Sequence, residues 1–160
     1  MPNLKSGNHN VCYFTVFKGT GLQTYYSNQS YTETINTKYK GEMNMKKVAI
    51  FVHAGENELG RAVHGLLYAQ EIHEAGGKVK LIFDGEGTQW IGRFEDTNHP
   101  MNPLYKKVKA LGVIEACEYC AGAFGAKEAV QKASIPTQNE YEGHPSIAKL
   151  ISEDYQIITL

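Results

Sequence analysis

The 160 residues carry a formal net charge of -1, with 42% hydrophobic and 21% charged residues, the proportions of one globular domain able to bury a core. That balance gives no basic field for nucleic acid or an anionic membrane, and no apolar run approaches the ~18 residues of a membrane span. Three cysteines are too few for a disulfide framework, so the composition points to a reducing, cytoplasmic setting.

Residues 1–44 differ from the rest. Asn, Thr, Ser, Gly and Tyr dominate and no periodicity persists, which predicts a disordered extension, with a strand over Val11 to Phe17 as the alternative. The segment lacks the apolar core of a secretory signal and the arginines of a transit peptide. It also reads as non-native: Lys40-Gly41-Glu42 can be encoded by a purine run like a ribosome-binding site, with Met43 and Met45 just after it. Without these residues 12 basic and 15 acidic side chains remain, a formal charge of -3.

A domain over residues 45–160 then begins with a continuous apolar strand, Val48 to Val52, of the kind buried on both faces of a parallel sheet. A polar turn from His53 to Glu58 follows. It has neither a G-x-G-x-x-G nor a P-loop lysine, and its glutamates repel anions, so no nucleotide or other cofactor is expected. The next helix runs from Leu59 to Ala75, with Asn57 to cap it, Gly76-Gly77 to stop it, and Leu59, Ala62, Val63, Leu66, Leu67, Ala69 and Ile72 facing inward.

Lys78 to Phe83 forms the second strand, ending in Asp84-Gly85, where the acid serves either as a catalytic group or as an Asp-Gly turn. A short helix with Trp90, Ile91 and Phe94 follows, then a loop with a lone His99, then a helix from Asn102 to Leu111 with Pro103 in its first turn. Val113 to Ala116 is the third strand, interrupted by Glu115. A helix over 122–134 should bury Phe124, Ala126, Ala129 and Val130. Ile135 to Tyr141 is a marginal fourth strand, Pro145 opens a last helix with Ile147, Leu150 and Ile151 inward, and Tyr155 to Leu160 closes as a fifth strand. Alternating strands and helices of this order predict an α/β fold, a three-layer α/β/α sandwich around a five-stranded parallel sheet.

The candidate site residues are Cys117 and Cys120, where the third strand gives way to a helix. Loops at the carboxyl ends of strands collect ligands in such sheets, and a helix N-terminus lowers a thiol pKa from about 8.5 towards neutrality. Cys117, leaving the strand, is expected to be the more reactive thiol, with Cys120 turned towards the core. Glu115 and Glu118 oppose the ionisation. Buried cysteines that merely pack are the competing reading, and no metal is expected, because no second CxxC or HxxxH supplies the remaining ligands of a zinc site.

These features resemble the DsrE/DsrF-like family of small α/β sulfur-relay and related proteins. The resemblance rests on the strand Lys47 to Val52 with its Gly55 turn, on Ala75-Gly76-Gly77-Lys78-Val79, on Phe83-Asp84-Gly85, and on Gly112-Val113 leading to a cysteine. It implies a five-stranded parallel sheet of order 4-3-2-1-5 and a homo-oligomer, trimer or hexamer. It further implies a cysteine persulfide on Cys117, placed by the following Gly125, with sulfur donor and acceptor proteins as partners. Glu115 and the short lead from Gly112 to Cys117 depart from the sulfur-relay pattern. Besides the sulfur carrier, the sequence allows a non-catalytic oligomeric binding module, and, less in keeping with a CxxC after the third strand, a thioredoxin-like oxidoreductase.

Overall fold

The computed structural model describes residues 12–18, 21–27 and 47–160. The chain divides into two units, 1–43 and 44–160. In the first, β1 (Cys12–Lys18) pairs antiparallel with β2 (Gly21–Ser27), from Cys12 opposite Ser27 to Lys18 opposite Gly21. The strand weighed as the alternative at Val11 to Phe17 is thus present as β1, and β2 follows it within the segment expected to be disordered; the rest of that segment before Met45 lies outside the described residues.

The second unit holds β3 (Lys47–Val52), α1 (Leu59–Glu74), β4 (Val79–Phe83), a 3-10 turn (Gly85–Thr88), α2 (Gln89–Glu95) and α3 (Asn102–Ala110). These are followed by β5 (Ile114–Cys117), α4 (Glu118–Ala123), α5 (Lys127–Lys132), β6 (Thr137–Gln138), α6 (Ile147–Ser152) and β7 (Tyr155–Thr159). The sheet order is β6-β5-β4-β3-β7, all parallel, which is 4-3-2-1-5 when its strands are counted from β3.

That order decides the layers. From β3 to β6 the chain steps outward one strand at a time, so right-handed crossovers put α1 to α5 on one face; the return to β7 puts α6 on the other. Alternate strand residues follow suit. Ile50, Val52, Leu81, Phe83, Ile114 and Ala116 join the main core with Ala62, Leu66, Ala69, Trp90, Phe94 and Val108, while Ala49, Phe51 and Ile82 meet Leu150 of α6. Glu115 faces the second layer, where Lys80 pairs with it at 2.9 Å, so a charge inside an apolar strand is neutralised across the sheet.

Four local expectations are corrected. Asn57 does not cap α1: Glu58 takes the N-cap position, and its Oε2 accepts the Gly55 N–H at 3.1 Å. Leu59 and Leu67 are exposed. The helix expected over 122–134 is two helices, because Gly125 adopts φ +71° and closes α4 with bonds from the Gly125 N–H to the Gly122 carbonyl and from the Ala126 N–H to the Ala121 carbonyl, a Schellman end that leaves Phe124 exposed. Ser146, not Pro145, starts α6, its hydroxyl accepting the Lys149 N–H, and Ile147 and Ile151 face outward with only Leu150 buried.

Candidate functional site

Three strand ends converge at the carboxyl edge of the sheet. After β4, Asp84 takes the N-cap of the 3-10 turn and its Oδ1 accepts the Gly85 N–H at 2.8 Å. Gly87 lies so close to β3 that a Cβ there would meet the Val52 carbonyl oxygen at 1.9 Å, so only glycine lets this turn sit against the sheet. From the end of β3, His53 brings Nε2 to 3.3 Å from Asp84 Oδ2.

Next to Asp84, β5 ends in Cys117. This residue is the N-cap of α4, and its Sγ accepts the Cys120 N–H at 3.4 Å. The Cys-x-x-Cys spacing thereby folds both sulfurs to one side of a single helical turn. The fourth component arrives from far along the chain. Tyr141 and His144 exchange backbone hydrogen bonds of 2.9 and 2.8 Å, and Glu142 and Gly143 between them have φ +50° and +85°, the two positive values of a type I′ turn. The Gly143 carbonyl accepts the Tyr119 N–H at 3.0 Å, and the Tyr119 ring packs 4.8 Å from that of His144. Held in this way, His144 Nδ1 lies 3.2 Å from Cys117 Sγ and 3.8 Å from Cys120 Sγ. One donor atom each from Asp84, Cys117, Cys120 and His144 lies within 4.8 Å of the others.

Both predicted site residues are therefore in one cluster, but their electrostatics correct the expected ionisation. Cys117 is 0% exposed and Cys120 7%, so the cysteine expected to emerge from the strand is the more buried of the two. Burial pushes the Cys117 thiol well above its ordinary range; the Cys120 amide pulls it down, while the Cys120 thiol and the Asp84 carboxylate push it further up. The Cys120 thiol is raised too, by burial and then by Asp84. Burial also acts to raise the carboxyl of Asp84, but hydrogen bonds from His53, both thiols and the Gly85 amide outweigh it and hold that carboxyl well below the usual carboxylate range.

The opposing carboxylate is thus Asp84, and neither Glu115 nor Glu118 is among the causes. Glu115 is paired with Lys80, and Glu118 accepts from Asn139 at 2.8 Å. Sequence reasoning left Asp84 between a turn and a catalytic group, and missed His53 and His144. The signal for His144 was Glu142-Gly143, a tight-turn pair beside a histidine. His99 stands apart as a loop residue, its Nδ1 accepting the Met101 N–H at 3.1 Å.

Among the described residues no helix is long and apolar enough to cross a membrane. An uncharacterized protein of Methanocaldococcus jannaschii is 34% identical over 110 residues, covering 69% of this chain and 88% of that protein. A conserved protein of unknown function from Bacteroides thetaiotaomicron has a similar fold, with a TM-score of 0.50 at 15% identity, over 74% of this chain and 100% of that one. Residues 46–160 match the sequence profile of the DsrE/DsrF-like family, whose expected strand order the sheet reproduces, and the chain belongs to that family.

Proposed function

We propose that this protein is a thiol-based sulfur carrier that holds sulfane sulfur as a persulfide on Cys117. The observation that carries this reading is the 3.2 Å contact between Cys117 Sγ and His144 Nδ1. A buried thiol with a raised pKa is a poor nucleophile at neutral pH, but a base at hydrogen-bond distance takes its proton as the new bond forms, so the thiolate need not exist beforehand.

In the loading step the Cys117 sulfur attacks the terminal sulfur of a donor persulfide, R–S–SH. The new S–S bond forms on Cys117 and the donor S–S bond breaks. The Cys117 proton passes through His144 to the departing thiolate, which leaves as R–SH. An acceptor thiol then takes the outer sulfur by the same exchange and Cys117 returns to the thiol. Cys120 offers a second exit. Its attack on the Cys117 sulfur gives a Cys117–Cys120 disulfide and releases hydrogen sulfide, the sulfane sulfur being reduced as the two thiols are oxidised.

We assign this chemistry to residues 45–160, acting as a homo-oligomer in the cytoplasm with donor and acceptor proteins as partners. The competing reading is a non-catalytic oligomeric binding module whose thiols pack, and the absence of exposed surface on Cys117 favours it. Intact-mass analysis after exposure to a small-molecule persulfide separates the two. The full chain and a chain beginning at Met45 should each gain one sulfur atom, Cys117→Ser should gain none, and Cys120→Ser should load but retain its sulfur for a different time. Loading that survives in Cys117→Ser, or no loading without unfolding, selects the packing role.

A further inference from the structure

The geometry points to a tetrahedral metal site formed by Asp84, Cys117, Cys120 and His144, of the chemistry that selects Zn2+. The donor set is two sulfurs, one imidazole nitrogen and one carboxylate oxygen, and mixed sulfur and nitrogen sets in tetrahedral array are those of zinc rather than of magnesium or calcium. Zinc bonds of about 2.3 Å to sulfur and about 2.0–2.1 Å to nitrogen and oxygen place tetrahedral ligand atoms ~3.3–3.8 Å from one another. The imidazole nitrogen already stands at 3.2 and 3.8 Å from the two sulfurs, and no pair in the cluster exceeds 4.8 Å.

The surroundings are those that orient metal ligands. The Asp84 carboxylate receives the Gly85 amide on Oδ1 and has His53 Nε2 beside Oδ2, and Cys117 Sγ receives the Cys120 amide. The turn carrying His144 is fixed to α4 by the bond from the Tyr119 N–H to the Gly143 carbonyl. A Cβ on Gly143 would lie 3.2 Å from the Cβ of Tyr119, in a backbone conformation that other residues rarely adopt. Cys117 is fully buried and Cys120 nearly so, which shields an ion held between them from water. The bound ion would tie the ends of β4 and β5 to the turn of His144, which backbone hydrogen bonds and the packing of Tyr119 against His144 hold there.

A bound ion occupies the Cys117 sulfur and the His144 nitrogen that sulfur loading uses, so loading belongs to the metal-free chain and metal binding is tested by a separate property. The untagged full chain, reduced and stripped of metal with a chelator, is titrated with Co2+ as a spectroscopic substitute for Zn2+. One equivalent per chain should saturate the intense visible bands of tetrahedral cobalt together with a thiolate-to-cobalt charge-transfer band, and Zn2+ should displace both. Cys117→Ser and Cys120→Ser should each weaken the charge-transfer band. Asp84→Asn and His144→Ala, which keep both thiols, should lower the affinity by at least about tenfold, and His53→Ala by about tenfold through the orientation of Asp84. Zn2+ should raise the melting temperature of the wild type more than that of Asp84→Asn, which controls for a variant that fails to fold. The weak spectrum of octahedral cobalt, binding far from one equivalent, or an unchanged titration in Asp84→Asn and His144→Ala would overturn the site.

Discussion

Asp84 and Cys117 set each other's proton, and the direction is measurable. Hydrogen bonds from His53 and from both thiols favour the Asp84 carboxylate, and burial first, with that negative charge added to it, keeps the proton on Cys117. The thiolate is the alkylating form, so in the metal-free protein Cys117 should react with iodoacetamide at pH 7 more slowly than a free thiol of pKa about 8.5, its rate still rising at pH values where the free thiol has levelled off. The sign for stability follows the same shift. The unfolded chain ionises the thiol first, so this contribution is fully present below about pH 8.5 and is lost as pH rises from there towards the folded-state value. Asp84→Asn removes the carboxylate's part of the shift and should speed Cys117 alkylation at pH 8. A rate unchanged by that substitution would show burial to be the whole cause.

Local pattern carries some elements of this fold and fails at others for definable reasons. β3 is an apolar run from Val48 onward and β4 an apolar strand broken only by Lys80, both ending in polar turns, and Gly76 with φ +83° stops α1 where its sequence implies. Gly125 sits inside a helical pattern whose periodicity predicts one helix. Its positive φ depends on backbone bonds that periodicity does not record. Cys117 and Cys120 were legible because their spacing is local. Asp84 was legible as a strand-end acid but not as a neighbour of the thiols, and His144 not at all, since they reach the thiols only through the parallel pairing of β4 with β5 and through a turn that returns to α4.

Glu115 is the element-scale counterpart: a defect in its own strand, explained once β4 supplies Lys80, with side chains only 16% and 26% exposed. Removing one partner leaves a charge in a place built for two. Fully buried pairs lose 3–5 kcal/mol in that case, and this partly exposed one should lose about 1–2 kcal/mol in Glu115→Ala. Lys80→Leu combined with Glu115→Leu should recover most of that loss in denaturant unfolding. A double variant as unstable as the single one would mean that the pair contributes more than its mutual neutralisation.

Among the described residues the two faces of the sheet are unequally covered. Five helices of residues 47–160 pack on one side, while α6, six residues long, is the described helix on the other. Its outer side carries Ile147 and Ile151, one turn apart and 42% and 60% exposed, next to a layer that buries only Ala49, Phe51, Ile82 and Leu150. A short helix that leaves two isoleucines exposed, with no second helix of residues 47–160 on its face of the sheet, has the composition of an interface core, where apolar residues replace charged ones. A second copy of the chain is the occupant expected from the prevalence of closed symmetric assembly. Light scattering at micromolar concentration should then return a multiple of the 17.8 kDa chain mass. Ile151→Asp should shift the population towards the monomer without lowering the helix content, because Ile151 takes no part in the buried core. A wild-type protein that scatters as a single chain, or an Ile151→Asp variant with an unaltered assembly, would leave α6 as the plain outer cover of the sheet and place any subunit contact elsewhere.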